Sequence, residues 1–401
     1  MLESIYVGMS GLLGYAKGLR VIANNTANLN TPGFKSASLQ FSDQFYSGSA
    51  QAGSASLGHG LDTGATVLSL RQGELRQSGN PLDLAIDGQG LFILREPQSG
   101  SGQDSLHYSR AGQFVFNDAG LLEDLGSHAE VMGLDDQGGL VPVSLHGLQI
   151  HAGKPTSTIT FSGNLSSTAA SQAVEGITVI DRQGAQHTLR ALLTAQTAEM
   201  AGNDSPGRWQ VQLFEGDRLA ATTTPAFENG EPAAASARNT VSYTPQGLEA
   251  MTLTLDMSSN VTSFAAGSLS TLAASKQDGV LPGALVGAGF DASGVLVLRY
   301  ANGQQVQGRQ LALAHFSVTD DITSIGSNQF AAVAGAQAQV GAARSGVFGR
   351  IEAGSVEISN VDLSQEFTNL MIMQRGYQAS SQVISTASEL LQQLFSIKAQ
   401  A

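Results

Sequence analysis

A multidomain, mainly β fold with α-helical termini is predicted: two nested antiparallel β-domains, plus a coiled-coil-like helical domain formed by the N- and C-termini together. Three observations predict it. Apolar residues recur at heptad spacing at both ends. Six short Asp/Asn-to-Gly turns divide the middle into apolar-rich segments. A composition shift near Gly153-Lys154-Pro155 opens a second β-region within the first. The chain has 401 residues, which sets an expectation of about two to four compact bodies.

The first element is a helix over residues 2 to 28. Leu2, Ile5, Met9, Leu12, Ala16, Leu19, Ala23 and Thr26 fall at alternating steps of three and four, one stripe along one helix face. Gly14 and Gly18, with Gly11 just before them, read as close helix packing in water, since the segment is too polar for a membrane. Asn24, Asn25, Asn28 and Asn30 crowd into Thr31-Pro32-Gly33 and stop the helix: asparagine tolerates left-handed backbone, proline cannot continue the helix, and glycine supplies a positive φ. Residues 31 to 70, with residues near 355 to 360, read as an irregular, semi-extended connector, Gly/Ser-rich at Ser47-Gly48-Ser49-Ala50 and Gly53-Ser54-Ala55-Ser56.

Residues 71 to 150 with 285 to 354 read as an inner β-domain. Leu82, Leu84 and Ile86 alternate with polar residues, meet Asp87-Gly88, and resume as Leu91-Phe92-Ile93-Leu94, the pattern of a hairpin. Comparable turns follow at Asn117 to Gly120, Asp135 to Gly138, Asp181 to Gly184, Asp291 to Gly294 and Ala301-Asn302-Gly303. Residues 151 to 284 read as an inserted outer β-domain that includes Gly176 to Ile180 and Trp209 to Leu213. The last element is a helix over 361 to 397, about 55 Å long at 1.5 Å per residue against about 40 Å for the first. Leu363, Leu370, Tyr377, Ile384 and Leu391 repeat every seventh position, with Met373, Ala387 and Leu394 three residues after members of that series and Phe367 and Phe395 beside it. Amphipathic terminal helices commonly pack on their own domain's core. The connector argues instead that these stand away from the β-body and bury their stripes on each other or on other copies of the chain. Residues 1 to 30 with 360 to 401 then form the helical assembly domain.

The composition narrows the functional classes. Charged residues are 13% of the chain where about 25% is usual, and the formal charge of −13 disfavours nucleic acid or an anionic bilayer as partner. The chain has no cysteine, which removes disulfides, thiolate metal sites and cysteine nucleophiles. Glu3 stands where the cationic segment of a signal peptide belongs, and Gly8, Ser10, Gly11 and Gly14 break any apolar run, so no cleavable signal is expected. No run reaches the roughly 20 apolar residues of a membrane helix.

Catalytic and ligand-binding patterns are weak. Gly88-Gln89-Gly90 opens no dinucleotide fingerprint, because Ile93 stands where the third glycine belongs and another strand follows. The turn acids do not build a Ca²⁺ loop, and turn geometry accounts for them. The histidines at 59, 107, 128, 146, 151, 187 and 315 are scattered, so solvated or singly hydrogen-bonded roles are expected rather than a metal site. A paired-carboxylate hydrolase stays open, since nothing selects one pair among 33 acids. No catalytic residue, cofactor or metal is expected.

Two segments carry a resemblance. Met9-Ser10-Gly11-Leu12, Ile22-Ala23-Asn24-Asn25-Thr26-Ala27-Asn28 and Asn30-Thr31-Pro32-Gly33-Phe34-Lys35 resemble the N-terminal signature of the bacterial flagellar rod and hook family. Ser359-Asn360-Val361-Asp362-Leu363-Ser364-Gln365-Glu366-Phe367 and Gln374-Arg375-Gly376-Tyr377-Gln378-Ala379 resemble its C-terminal one. The inserted domain and Tyr300-Ala301-Asn302-Gly303-Gln304, leading to Leu311-Ala312-Leu313-Ala314-His315-Phe316, are more like the hook branch than the shorter rod proteins. The signature positions so identified are Asn24, Asn25, Asn28, Thr31, Pro32, Gly33, Phe34, Asn360, Asp362, Gln374 and Arg375.

The resemblance implies a non-enzymatic structural subunit. It would be exported through the flagellar type III apparatus without signal cleavage and would self-assemble outside the cell into a hollow, bendable helical tube, a universal joint in motility that passes torque from rod to filament. It implies as partners many copies of the chain itself, a distal rod protein, a hook cap protein and hook-filament junction proteins, with no nucleic acid and no membrane insertion. Leu2, Ile5, Met9, Leu12, Leu19, Leu363, Phe367, Leu370, Met373, Tyr377, Ile384, Leu391 and Leu394 are expected to face the assembly. Aspartate at Leu370 or Ile384 is expected to abolish polymerisation by placing a charge in a buried seam. A straight distal-rod protein and a secreted β-rich adhesin or glycan-binding module remain the rival readings.

Overall fold

The computed structural model describes residues 2–43, 46–47, 57–58, 60–96, 105–196 and 207–400. The chain forms two compact units: Met1–His146, Ala288–Leu298 and Val306–Ala401 make the first, and Gly147–Gly287 with Arg299–Gln305 make the second. The first unit holds the two long helices, α1 (Leu2–Ala27) and α2 (Leu363–Gln400), together with a β-body. No helix of the described residues is long and apolar enough to cross a membrane.

α1 stops where the asparagines begin. The Asn28 N–H is shared between the carbonyls of Asn24 and Asn25, and Gly33 follows at φ 71°. α2 starts on an N-cap: Asp362 Oδ1 accepts the backbone N–H groups of Ser364 (2.8 Å) and Gln365 (3.2 Å), donors that a helix start leaves unpaired.

Within residues 31 to 70, the strands Ala37–Asp43 and Leu61–Leu68 pair antiparallel, with Ala37 opposite Leu68 and Asp43 opposite Leu61. This corrects the reading of an irregular segment. The pair lies along α1: the Leu61 N–H donates to Ser10 Oγ (3.1 Å), Lys17 Nζ donates to Thr63 Oγ1 (3.2 Å), and the Tyr15 and Phe41 rings lie 5.9 Å apart. Strand propensity alone did not specify it, because most of its side chains stay exposed and contact with α1 supplies what alternation does not. Of the Gly/Ser runs, Gly48 to Ala50 and Gly53 to Ser56 lie outside the described residues, as does the Ser47 side chain.

The β-body of the first unit is a sheet in which Leu91–Glu96 pairs with Ser105–Ser109 on one side and with Glu130–Leu134 on the other. Ser105–Ser109 continues to Gln329–Ala332 and Ile322–Gly326. Its core packs aromatic rings edge to face, Phe92 on Phe114 at 5.0 Å and Tyr108 on Phe316 at 4.9 Å, a favoured arrangement for ring quadrupoles. The hairpin expected at Asp87-Gly88 does not form. Leu84–Asp87 pairs with Arg350–Ala353, while Leu91–Glu96 joins the main sheet. Both segments are buried on both faces, so alternation was a poor guide to their partners.

The second unit stacks two sheets over one apolar core. Ser171–Ile180, Gln186–Ala195, Trp209–Glu215 and Arg218–Thr223 form an antiparallel meander. In the other sheet Thr158–Asn164 runs parallel to Met251–Asp256 and antiparallel to Ala273–Gln277. The core draws Leu189, Trp209 and Leu213 from the first sheet and Phe161, Leu253 and Leu255 from the second, alternate residues pointing inward as in a sandwich. Tyr300 Oη donates to the Leu148 carbonyl at 2.7 Å and Asn302 Nδ2 to that of Leu281 at 2.7 Å, which places Arg299–Gln305 with this unit although the sequence reading left it in the inner domain.

Candidate functional site

The two ends of the chain meet, and what lies between them is glycine. On α1 the buried line facing α2 runs Gly8, Gly11, Gly18, Ile22 and Asn25. A Cβ at Gly8 would lie 2.8 Å from Ile384 Cγ1, at Gly11 2.7 Å from Ser380 Oγ, and at Gly18 2.9 Å from Met373 Sδ. From the other side, a Cβ at Gly376 would lie 2.5 Å from the Tyr15 ring. Gly14 serves a different contact, against Leu61 and Thr63 of the strand pair. Side chains of one helix therefore pack directly on the glycine backbone of the other, as small residues at a helix interface permit.

This corrects the predicted stripe of α1. Its members sit one residue later than the buried line, a rotation of about 100° about the helix axis. Ile5, Leu12 and Leu19 are half-buried and Met9 is 47% exposed. The Leu2 side chain lies outside the described residues. On α2 the heptad series divides: Leu370, Met373, Ile384 and Leu391 are half-buried and Ala387 is buried, whereas Leu363, Phe367, Tyr377 and Leu394 are exposed. Met371, Ile372, Val383, Leu390, Phe395 and Ile397 are also exposed. The close helix packing expected at Gly11 and Gly18 is present, whereas Gly14 packs on the strand pair instead; the apolar stripe did not reveal that these glycines mark the face that meets α2.

At the base of the helix pair a hydrogen-bonded knot joins both termini to the β-body. Asn25, 2% exposed, donates from Nδ2 to the Ala37 carbonyl (2.8 Å) and to Glu366 Oε1 (3.0 Å), and its Oδ1 accepts the Ala37 N–H (3.1 Å). One amide thus ties α1, the strand after it and the first turn of α2. Asn360 mirrors it. Its Oδ1 accepts the Ser36 N–H at 2.7 Å, and its Nδ2 donates to the carbonyls of Ser69 and Arg71 at 2.7 and 2.9 Å. Asn28 bonds back to Asn24 and accepts from Thr31 Oγ1. The Pro32 carbonyl accepts from Asn328, and the Asn360 N–H reaches the Phe34 carbonyl. Gly33 cannot be replaced cheaply: besides its positive φ, a Cβ there would lie 2.3 Å from the Ala111 nitrogen. Gln374 and Arg375 stand exposed on α2.

Beneath these amides lies an ion cluster that the sequence reading did not single out. Glu357, 1% exposed, accepts Lys35 Nζ (2.5 Å) and the Gly73 N–H (2.7 Å) at Oε1, and Arg110 Nη1 (2.9 Å) at Oε2. Lys35 also donates to the Arg71 carbonyl, and Arg110 to those of Ile86 and Gly88. Burial holds Lys35 and Arg110 below their ordinary pKa values, with Glu357 pulling both back up. The cluster links the segments after α1 and before α2 to the β-body. No local pattern marks it: Glu357 stands between Val356 and Ile358 in the sequence, and only the burial that the fold imposes obliges the charge to be paired.

Among the described residues, the amides of the knot and the charges of the cluster bond to backbone and to one another, and exposed apolar side chains lie along α2.

Comparison with known proteins places both ends of this site in matched segments. Residues 5–35 match the family described as flagella basal body rod protein, and residues 352–397 match the family described as flagellar basal body rod FlgEFG protein C-terminal. Over 425 residues the chain is 30% identical to the flagellar hook protein FlgE of Salmonella typhimurium, covering 97% of this chain and 98% of that protein. It is 27% identical to the flagellar hook protein FlgE of Treponema pallidum over 99% of this chain and 100% of that one. A crystal structure of Helicobacter pylori flagellar hook protein FlgE2 covers 70% of this chain and 100% of its own with a TM-score of 0.48 and 13% identity.

Proposed function

Since the chain belongs to the flagellar hook protein family, we propose that its work is done by copies of itself: it is a non-enzymatic structural subunit whose terminal helices pack with those of neighbouring subunits into the wall of a hollow, bendable tube. One observation carries this reading. α2 leaves Phe367 (53%), Met371 (54%), Ile372 (56%), Phe395 (64%) and Ile397 (69%) exposed along its length, far more than scattered surface hydrophobics explain. α1 leaves these side chains uncovered, because it meets α2 along glycines that have no side chain to spread.

The same reading assigns the remaining parts. The helices and the knot beneath them hold the subunit in its wall, and the β-units, with few charges, slide on weak polar contacts as the tube bends. Export as an unfolded chain through the flagellar apparatus, a position outside the cell, and contacts with the distal rod, the cap and the hook-filament junction complete the proposal, and the family membership supports them.

Replacing Met371 or Phe395 by Asp tests it. Both side chains are exposed in the single chain, so the monomer should keep its circular dichroism and melting profile, while sedimentation should show that tube formation is lost. Normal tubes from both variants would overturn the assignment of these exposed side chains to the assembly.

A further inference from the structure

His187 lies in the second unit on the strand Gln186–Ala195, between two carboxylates. Its Nδ1 is 2.8 Å from Glu215 Oε1 and its Nε2 is 2.9 Å from Asp181 Oδ2. Asp181 belongs to the turn that leads from Ser171–Ile180 into the histidine's own strand, and Glu215 ends the neighbouring strand Trp209–Glu215. The imidazole therefore bridges a turn and a strand on either side of itself. Its side chain is 17% exposed, that of Asp181 2% and that of Glu215 21%.

The surrounding groups fix what the ring must be. Asp181 Oδ1 is occupied by the backbone N–H groups of Gln183 and Ala185 at 2.8 and 2.9 Å. Glu215 Oε2 is paired with Arg218, which reaches it from the far side on the strand Arg218–Thr223. Arg182 of the turn pairs outward with Glu249. From the facing sheet, the buried Tyr243 sets its ring edge-on at 6.1 Å. A neutral imidazole has one N–H donor and one lone pair, so it satisfies one carboxylate and opposes the other. Only the imidazolium donates to both.

We propose that His187 is a proton-operated staple of this unit: the protonated ring ties the Asp181 turn and the Glu215 strand to its own strand, and deprotonation releases one of the two ties. Burial opposes the charge, and the two carboxylates outweigh it, so the ring titrates above its ordinary value of 6.5. With a raised folded value, the stabilisation is full below 6.5 and is lost as pH rises through that raised value. This pH dependence needs no polymer and goes beyond the assembly role.

The test is histidine Cε1 NMR on the full-length protein across about pH 5 to 9, the range in which histidine titrates. His187→Gln identifies the resonance by its disappearance. Glu215→Gln serves as the second variant, and identifies it as the resonance displaced most if His187→Gln does not fold. The expected result is a His187 titration above 6.5 that Glu215→Gln moves down, and a thermal midpoint of the second unit that falls with rising pH more steeply in the wild type than in His187→Gln. A titration at or below 6.5, or equal pH dependence in wild type and His187→Gln, would overturn the proposal.

Discussion

Glu357 is where a single atom change should cost most. Its carboxylate faces two buried cations, Lys35 and Arg110, so Glu357→Gln leaves both uncompensated. Removing one partner of a buried pair costs about 3–5 kcal/mol, which is a large share of a typical folding stability. Chemical denaturation of the first unit should show that loss. A second buried carboxyl points the other way. Burial pushes the Glu366 pKa up, with Asp362 adding to the rise and the Asn25 hydrogen bond opposing it, and its Oε2 has no partner among the described residues. Because the folded value is raised, Glu366 contributes its stability below the ordinary 4.5 and loses it as pH rises through the raised value. Glu366→Gln, which keeps an acceptor for Asn25 without a charge, should therefore be more stable than wild type at pH about 7, and the gap should close as pH falls below the ordinary carboxylate value. Denaturation midpoints at the two pH values check it. Of these residues, Asn25 and Asn28 could be singled out from the asparagine cluster that stops α1, and Asn360 from the family resemblance alone. Glu357 and Arg110 could not, since their partners lie 322 and 247 positions apart and no local pattern records such a pairing.

The helix pair shows the same division one level up. That both termini form helices, and where α1 stops, was legible because heptad spacing and the Asn/Pro/Gly stop are local. Which face of α1 meets α2 was not, because the interface is written in glycines and the stripe of leucines lies beside it. The turn asparagines and aspartates were legible for a related reason: Asp181, Asp291 and Asp135 each use Oδ1 to cap two following N–H groups, a bond that needs nothing from the rest of the chain. Asp87-Gly88 failed as a hairpin because its flanking strands are buried on both faces and find partners elsewhere in sequence. The glycine interface makes an ordered prediction. Gly→Ala in a helix interior gains about 1 kcal/mol of propensity, whereas overpacking costs about 1–3 kcal/mol. At Gly18 the new methyl meets the flexible sulfur of Met373, and the two effects should nearly cancel. At Gly376 it meets the Tyr15 ring, which the Phe41 ring flanks, and the variant should be the less stable. Thermal melts of Gly18→Ala and Gly376→Ala compare them directly.

At the scale of the whole molecule, the exposed apolar side chains of α2 and the low charge of the chain argue for the same assembly. Apolar burial between subunits is strengthened by salts excluded from protein surfaces, so sulfate should lower the protein concentration at which polymers appear. Tubes held mainly by ion pairs would instead be weakened by salt. Two nested β-regions between helical ends were legible from turn spacing and the change in composition. The parallel placement of Thr158–Asn164 against Met251–Asp256 was not, because parallel pairing leaves no turn between the partners to announce it. The central claim is that this chain builds a curved tube through its terminal helices. Electron microscopy of the concentrated full-length protein in ammonium sulfate tests it most directly: curved hollow tubes are the result predicted, and straight tubes, or monomers at every concentration, would contradict it.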